Sequence, residues 1–165
     1  MPLYQTKQDK KNESSFKKRL LKKNPTLTLV GTSKAHPFDF FIGVGDEPFA
    51  IGEYKRRFND KHTYRDYQVD WTKVESLAEC IKEYGTRSYL FIEWDDGIQF
   101  HRIRKSMDHY SKGYMRRNHM RDGYDEDETA IIPLDEFQPM SKFKKEYRMW
   151  RYYMLGTLPE LDPYT

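Results

Sequence analysis

The chain has 165 residues, of which 37% are hydrophobic, 33% charged and 16% aromatic, with a formal net charge of +3. That length suits one domain with a modest core, and 13 Tyr with 10 Phe place much of the burial on rings rather than aliphatic side chains. The single cysteine, Cys80, excludes an internal disulfide framework. No apolar window reaches membrane-span length, and the opening MPLYQTKQDKKNES lacks an apolar signal core, so the expectation is a soluble cytoplasmic protein of a microbe or a virus-infected cell.

Residues 1–11 are polar and read as a mobile arm. From Asn12 to Asn24, Phe16, Leu20 and Leu21 form a stripe at helical spacing among lysines. Asn24-Pro25 stops that helix, because the residue before proline disfavours the α region. Thr26–Val30 alternates and predicts a first strand, Phe38–Val44 a second and Phe49–Lys55 a third, the last two joined by a hairpin turn at Gly45-Asp46. Phe58–Gln68 shows no period and reads as a loop or partly ordered arm. Asp70 reads as the N-cap of a helix, its carboxylate accepting from free first-turn amides. That helix puts Val74, Leu77, Ala78, Ile81 and Tyr84 on one face and stops at Gly85. Ser88–Trp94 and Ile98–Ile103 form a further hairpin around Asp95-Asp96-Gly97. Arg104–Glu128 is basic, then acidic, and carries no clear element. Ala130–Leu134 is a short strand candidate, and Phe143–Leu155 a final aromatic helix. With no internal repeat or linker, one domain is expected, with a core over about residues 12–105 and a C-terminal elaboration over about 106–165.

The chemistry gathers between His36 and Arg57. Asp39 interrupts an apolar strand, and Glu53 and Lys55 project from one strand face with Tyr54 on the other. Pairing of the two runs as a hairpin would set Asp39 beside Glu53, with an ammonium close by. A buried carboxylate needs a partner or a metal, and paired carboxylates suit a hard divalent cation. Basic groups cluster from Lys7 to Lys23, from Lys55 to Arg65, and at Arg102, Arg104 and Lys105, while acidic ones collect at Asp122–Glu128. Local basic patches bind a polyanion even on a nearly neutral chain. The five scattered histidines lack a zinc spacing, no G-x-x-x-x-G-K-[ST] loop is present, and Asp122–Glu128 reads as a solvated acidic loop rather than a calcium site.

The D…E-x-K pattern after two apolar strands, within an α-β-β-β-α-β order, resembles the PD-(D/E)xK nuclease superfamily. The small Holliday-junction-resolvase and phage-type members are nearest in size. One departure is that Phe38 separates Pro37 from Asp39, where the superfamily often has Pro immediately before Asp. The resemblance implies an α/β restriction-endonuclease-like fold, a mixed sheet flanked by helices. It also implies a DNA endonuclease that hydrolyses phosphodiester bonds with Mg²⁺ or Mn²⁺, on branched or junction DNA in the nearest relatives. In that reading Asp39, Glu53 and the backbone carbonyl of Tyr54 are metal ligands, with Glu13 from the first helix as a further one. Lys55 orients the attacking water or stabilises charge at the phosphate. Lys17, Lys18, Arg19, Arg56 and Arg57 would hold the nucleic-acid backbone, joined by Gln68 and Lys73 at the start of the helix after the motif. Resolvase-like relatives act in pairs, so a homodimer is an option. Two alternatives stand beside this one: a nucleic-acid-binding module without chemistry, and a protein–protein or assembly adaptor.

Overall fold

Thr6 opens the first helix through a capping box: its side chain accepts from the Asp9 amide at 3.0 Å, and the Asp9 carboxylate accepts from the Thr6 amide at 3.0 Å. Helix α1 therefore spans Lys7–Lys23, and residues 7–11, expected as a mobile arm, are helical. The structure is a computed structural model that describes residues 6–116 and 126–154. Strands β1 (Leu27–Gly31), β2 (Phe40–Val44) and β3 (Glu47–Arg56) run as an antiparallel meander. The turn between β2 and β3 holds Gly45 at φ 61°, a left-handed conformation that glycine adopts without steric cost.

The chain then leaves this sheet. Strand β4 (Asp66–Asp70) is followed directly by α2 (Trp71–Tyr84), which ends at Gly85 with φ 64°. Strand β5 (Arg87–Trp94) returns parallel to β3, and β6 (Gly97–Arg102) forms a hairpin with it. Strands β7 (Ser111–Arg116) and β8 (Glu126–Pro133) pair with each other, β9 is the short Gln138–Pro139, and α3 covers Phe143–Met154. The main sheet has the order β1-β2-β3-β5-β6-β9, and a second sheet the order β4-β8-β7. This is the mixed α/β architecture expected, and within the main sheet the α-β-β-β-α-β order holds.

Three further expectations change. Phe58–Gln68 is not wholly a loop, because Asp66–Gln68 begin β4 and pair with Ile131–Pro133. Glu126–Glu128, expected as part of a solvated loop, begin β8 and pair with Tyr114–Arg116; residues 122–125 lie outside the described residues, as does Leu155. Asp70 does precede α2, but its side chain makes no capping hydrogen bond.

The main sheet has a core on each face. Under α1 and α3, Phe16, Phe40, Tyr54, Tyr89, Phe91, Phe100, Phe143 and Tyr147 pack largely ring to ring. On the opposite face, Ile51, Leu90 and Ile92 meet Val74 and Leu77 of α2 and Val69 and Ile132 of the second sheet. Strand alternation divides β3 between them, with Tyr54 on the α1 side and Ile51 on the α2 side. Among the described residues, no helix is long and apolar enough to cross a membrane.

Candidate active site

Asp39 stands immediately before β2, and its amide donates to the Gly52 carbonyl at 2.9 Å, which extends the hairpin by one step and sets it against Glu53. Its carboxylate is held from the other strand, Oδ2 accepting from the Tyr54 amide at 2.8 Å. Glu53 is 3% exposed; its Oε1 lies 3.3 Å from the Lys55 ammonium and 3.2 Å from that of Lys73, while its Oε2 is buried with no hydrogen-bond partner. Lys73 comes from the first turn of α2 and also donates to the Pro37 carbonyl at 2.9 Å, so it ties the approach to Asp39 to the carboxylate.

Burial, and next to it the negative charge of Glu53, pushes the Asp39 carboxyl up to about 6, against the opposing pull of the Tyr54 amide, Lys55 and Lys73. Burial works to lower the Lys55 ammonium, yet the surrounding acidic groups, Glu53 first, leave it above its ordinary value. The four groups are two carboxylates answered by two cations.

Beyond them opens a cavity of about 270 Å³, lined by Lys55, Arg57, Lys73, Tyr67, Gln68, Val69, Asp70, Met115, Asp127 and Thr129. Most of its far wall is thus the second sheet. Gln68 lies on β4 rather than at the start of α2, and its Oε1 accepts from the Thr129 hydroxyl at 2.9 Å. The Arg57 guanidinium sits 5.2 Å from the centre of the Tyr67 ring. The Tyr67 hydroxyl is buried beside that guanidinium without a hydrogen bond of normal geometry. Tyr67, Met115, Asp127 and Thr129 escaped the sequence reading. Only Tyr67 carried a signal, as an aromatic inside a basic run.

The other expected residues are dispersed. Glu13 pairs with Lys17 at 3.3 Å on α1, the helix that covers the opposite sheet face. Among the described residues, no three His, Cys, Asp or Glu side chains form a group that could hold a metal ion, so Glu13 does not join Asp39 and Glu53 in one. Lys17 also lies 5.4 Å over the Phe40 ring, and Lys18 is exposed. Arg19 is engaged by both oxygens of Glu93, at 2.7 and 2.8 Å. Arg56 donates to Asp95 at 2.6 Å and to the Glu93 and Arg57 carbonyls, and covers the Phe58 ring at 4.5 Å.

The donor set fits a hard divalent cation. Every side-chain ligand on offer is a carboxylate oxygen, and the orphaned Oε2 of Glu53 is a buried acceptor in need of a partner. Remaining coordination positions on such an ion are ordinarily filled by water, backbone carbonyls or substrate phosphate.

Residues 1–140 match the family described as "Phage putative PDDEXK endonuclease", and the chain belongs to that family. Membership makes it a nuclease, a phosphodiester hydrolase by class. Solved structures that share its fold include the following two. One is D212, a nuclease from a fusellovirus, with a TM-score of 0.56 and 14% identity over 93% of this chain and 99% of that one. The other is Hjc, a Holliday junction resolvase from Archaeoglobus fulgidus, with a TM-score of 0.51 and 12% identity over 79% of this chain and 93% of that one. No match is found among the functionally curated proteins.

Proposed function

We propose that the chain is a Mg²⁺- or Mn²⁺-dependent DNA endonuclease centred on Asp39, Glu53 and Lys55. The observation that carries the reading is the pair itself: Asp39 set against Glu53 across the hairpin, with one Glu53 oxygen buried and unpartnered and the other between two ammonium groups. Asp39 and Glu53 hold the cation, with the Tyr54 carbonyl as a further oxygen on the same strand. When bound, the ion supplies positive charge at the phosphate and lowers the pKa of a water molecule.

The chain's own groups do the rest. Lys55 lines the cavity, where its ammonium orients a water and answers the negative charge that builds on the phosphate oxygens. Arg57 and Lys73 line the same cavity and grip the flanking backbone, with Gln68 hydrogen-bonding from the second sheet. Lys18 extends the contact along α1, where Lys17 is paired with Glu13. Arg19 and Arg56, already engaged by Glu93 and Asp95, contribute little to it. The resolvase neighbour acts on Holliday junctions, and branched DNA is the substrate this reading favours. Cutting two strands of a junction takes two centres, so the same reading includes a homodimer.

A labelled panel of plasmid, linear duplex, single strand, flap and four-way junction tests the proposal with Mg²⁺, Mn²⁺ or EDTA present. We expect metal-dependent cutting that Asp39→Ala and Lys55→Ala reduce by at least about a hundredfold, while both variants still bind DNA in EDTA. Cleavage by Asp39→Ala at the wild-type rate would sink the assignment. Binding without cutting of any substrate would leave a non-catalytic nucleic-acid module.

A further inference from the structure

On the face of β3 turned away from the cavity lies a chain of polar side chains. Arg19 of α1 meets both carboxylate oxygens of Glu93 on β5, at 2.7 and 2.8 Å. The same Glu93 accepts from the Tyr54 hydroxyl at 2.5 Å, and the Tyr54 ring stacks on Phe16 with centroids 4.7 Å apart. Tyr54 is 7% exposed, and its backbone amide, on the other side of the strand, is the donor that holds Asp39 at 2.8 Å. One residue therefore joins two networks, its side chain fixed by Arg19 and Glu93 and its peptide fixing the carboxylate.

Packing alone does not call for this chain. Tyr54 stacks on Phe16, whose ring also meets Phe40 and Phe91 in the same core cluster, and a phenylalanine at 54 would bury equally well there. A half-buried carboxylate with a guanidinium carries a desolvation cost that apolar packing avoids. What the network adds is direction, since hydrogen bonds fix the angle of a ring and its strand where apolar contact permits sliding. Direction is needed here because the parallel ladder of β3 on β5 ends at the pair Arg56 and Glu93, two residues beyond Tyr54. At that end the Glu93 carbonyl also accepts from the Arg57 amide at 2.8 Å and from the Arg56 side chain at 3.2 Å.

We propose that Arg19 and Glu93 are positioning residues of the active centre, which hold Tyr54 so that its peptide N–H presents Asp39 to the cation. The inference rests on the metal-centre reading above. It moves Arg19 from the nucleic-acid contacts to the support of the site.

The test is Mn²⁺ affinity of the full chain without DNA, measured by calorimetry and by electron paramagnetic resonance. Wild type is compared with Tyr54→Phe, Glu93→Gln, Arg19→Lys and Asp39→Ala, with DNA affinity in EDTA and thermal unfolding recorded for each. Tyr54→Phe keeps the ring, its stack and the amide and removes only the hydroxyl, so it guards against simple loss of fold. We expect Mn²⁺ affinity to weaken about tenfold in Tyr54→Phe and Glu93→Gln, and by less in Arg19→Lys. DNA affinity should stay at the wild-type value in all three, an outcome that a general loss of structure would not give. Affinity lost in Asp39→Ala but kept in Tyr54→Phe and Glu93→Gln overturns the positioning role alone. Affinity kept in Asp39→Ala overturns the metal-centre reading, and this inference with it.

Discussion

His101 is held neutral by the core. It is 3% exposed, Nδ1 donates to the Glu136 carbonyl at 3.1 Å, and Nε2 accepts from the Tyr110 hydroxyl at 2.8 Å, which itself accepts from the Arg104 amide at 2.8 Å. Burial first of all pulls its pKa down from 6.5 to about 4. In the unfolded chain the imidazole takes up a proton near 6.5, so between pH 6.5 and about 4 the unfolded state binds more protons than the folded one. Stability from this group is complete above pH 6.5 and drains away as the pH falls, by about 3 kcal/mol in all. Urea midpoints at pH 7 and pH 4.5 should therefore differ more in wild type than in His101→Gln; equal differences would contradict the assignment. At this same scale the sequence was most readable at Asp39, Glu53 and Lys55, because strand alternation and the D…E-x-K spacing are local properties. The Arg19–Glu93 pair spans 74 positions, and nothing near either residue announces the other.

Gly52 shows how little room β3 allows. A methyl group there would come within 2.4 and 2.7 Å of the Phe40 ring and 3.0 Å of Phe91, both fully buried. Those rings sit in a close-packed layer, so Gly52→Ala should destabilise the protein by about 1–3 kcal/mol. The Gly52 carbonyl also receives the Asp39 amide, so cleavage should fall along with the melting temperature; an unchanged melting temperature would mean that the layer yields more easily than the distances indicate. The β2–β3 hairpin was legible because Gly45-Asp46 marks the turn and apolar runs flank it. The second sheet was not. Its β4, DYQVD, carries acids at both ends, its β7, SKGYMR, has no apolar alternation, and β4 pairs with a strand some sixty positions further on. The start of α1 did carry a signal, Thr6 three before Asp9, but the lysines between and after them masked it as a polar arm.

Across the whole molecule the net charge of +3 matters less than where the free cations lie. Lys18 and Arg57 are exposed, whereas Arg19 and Arg56 are engaged by carboxylates. DNA affinity should fall linearly with salt on logarithmic axes. Lys18→Ala and Arg57→Ala should each reduce the slope by about one, and Arg56→Ala should leave it unchanged. A smaller slope in Arg56→Ala would show that Asp95 releases its partner on binding. Helix α2 and the second sheet pack on one face of the main sheet, and that arrangement lets a residue far along the chain, Thr129, line the same cavity as Lys55.

The two ammonium groups around Glu53 have a consequence for timing. Before any ligand arrives, the negative charge of Asp39 and Glu53 is balanced from within by Lys55 and Lys73. A cation entering alone must compete with these internal counter-ions. A nucleic-acid phosphate offers the lysines another anion and frees the carboxylates. Because linked equilibria are reciprocal, polymer and ion, if both bind as proposed, should strengthen each other's binding by one and the same factor. On the proposed reading, cation affinity should therefore be measurable in the free protein and higher on the strand it is to cut.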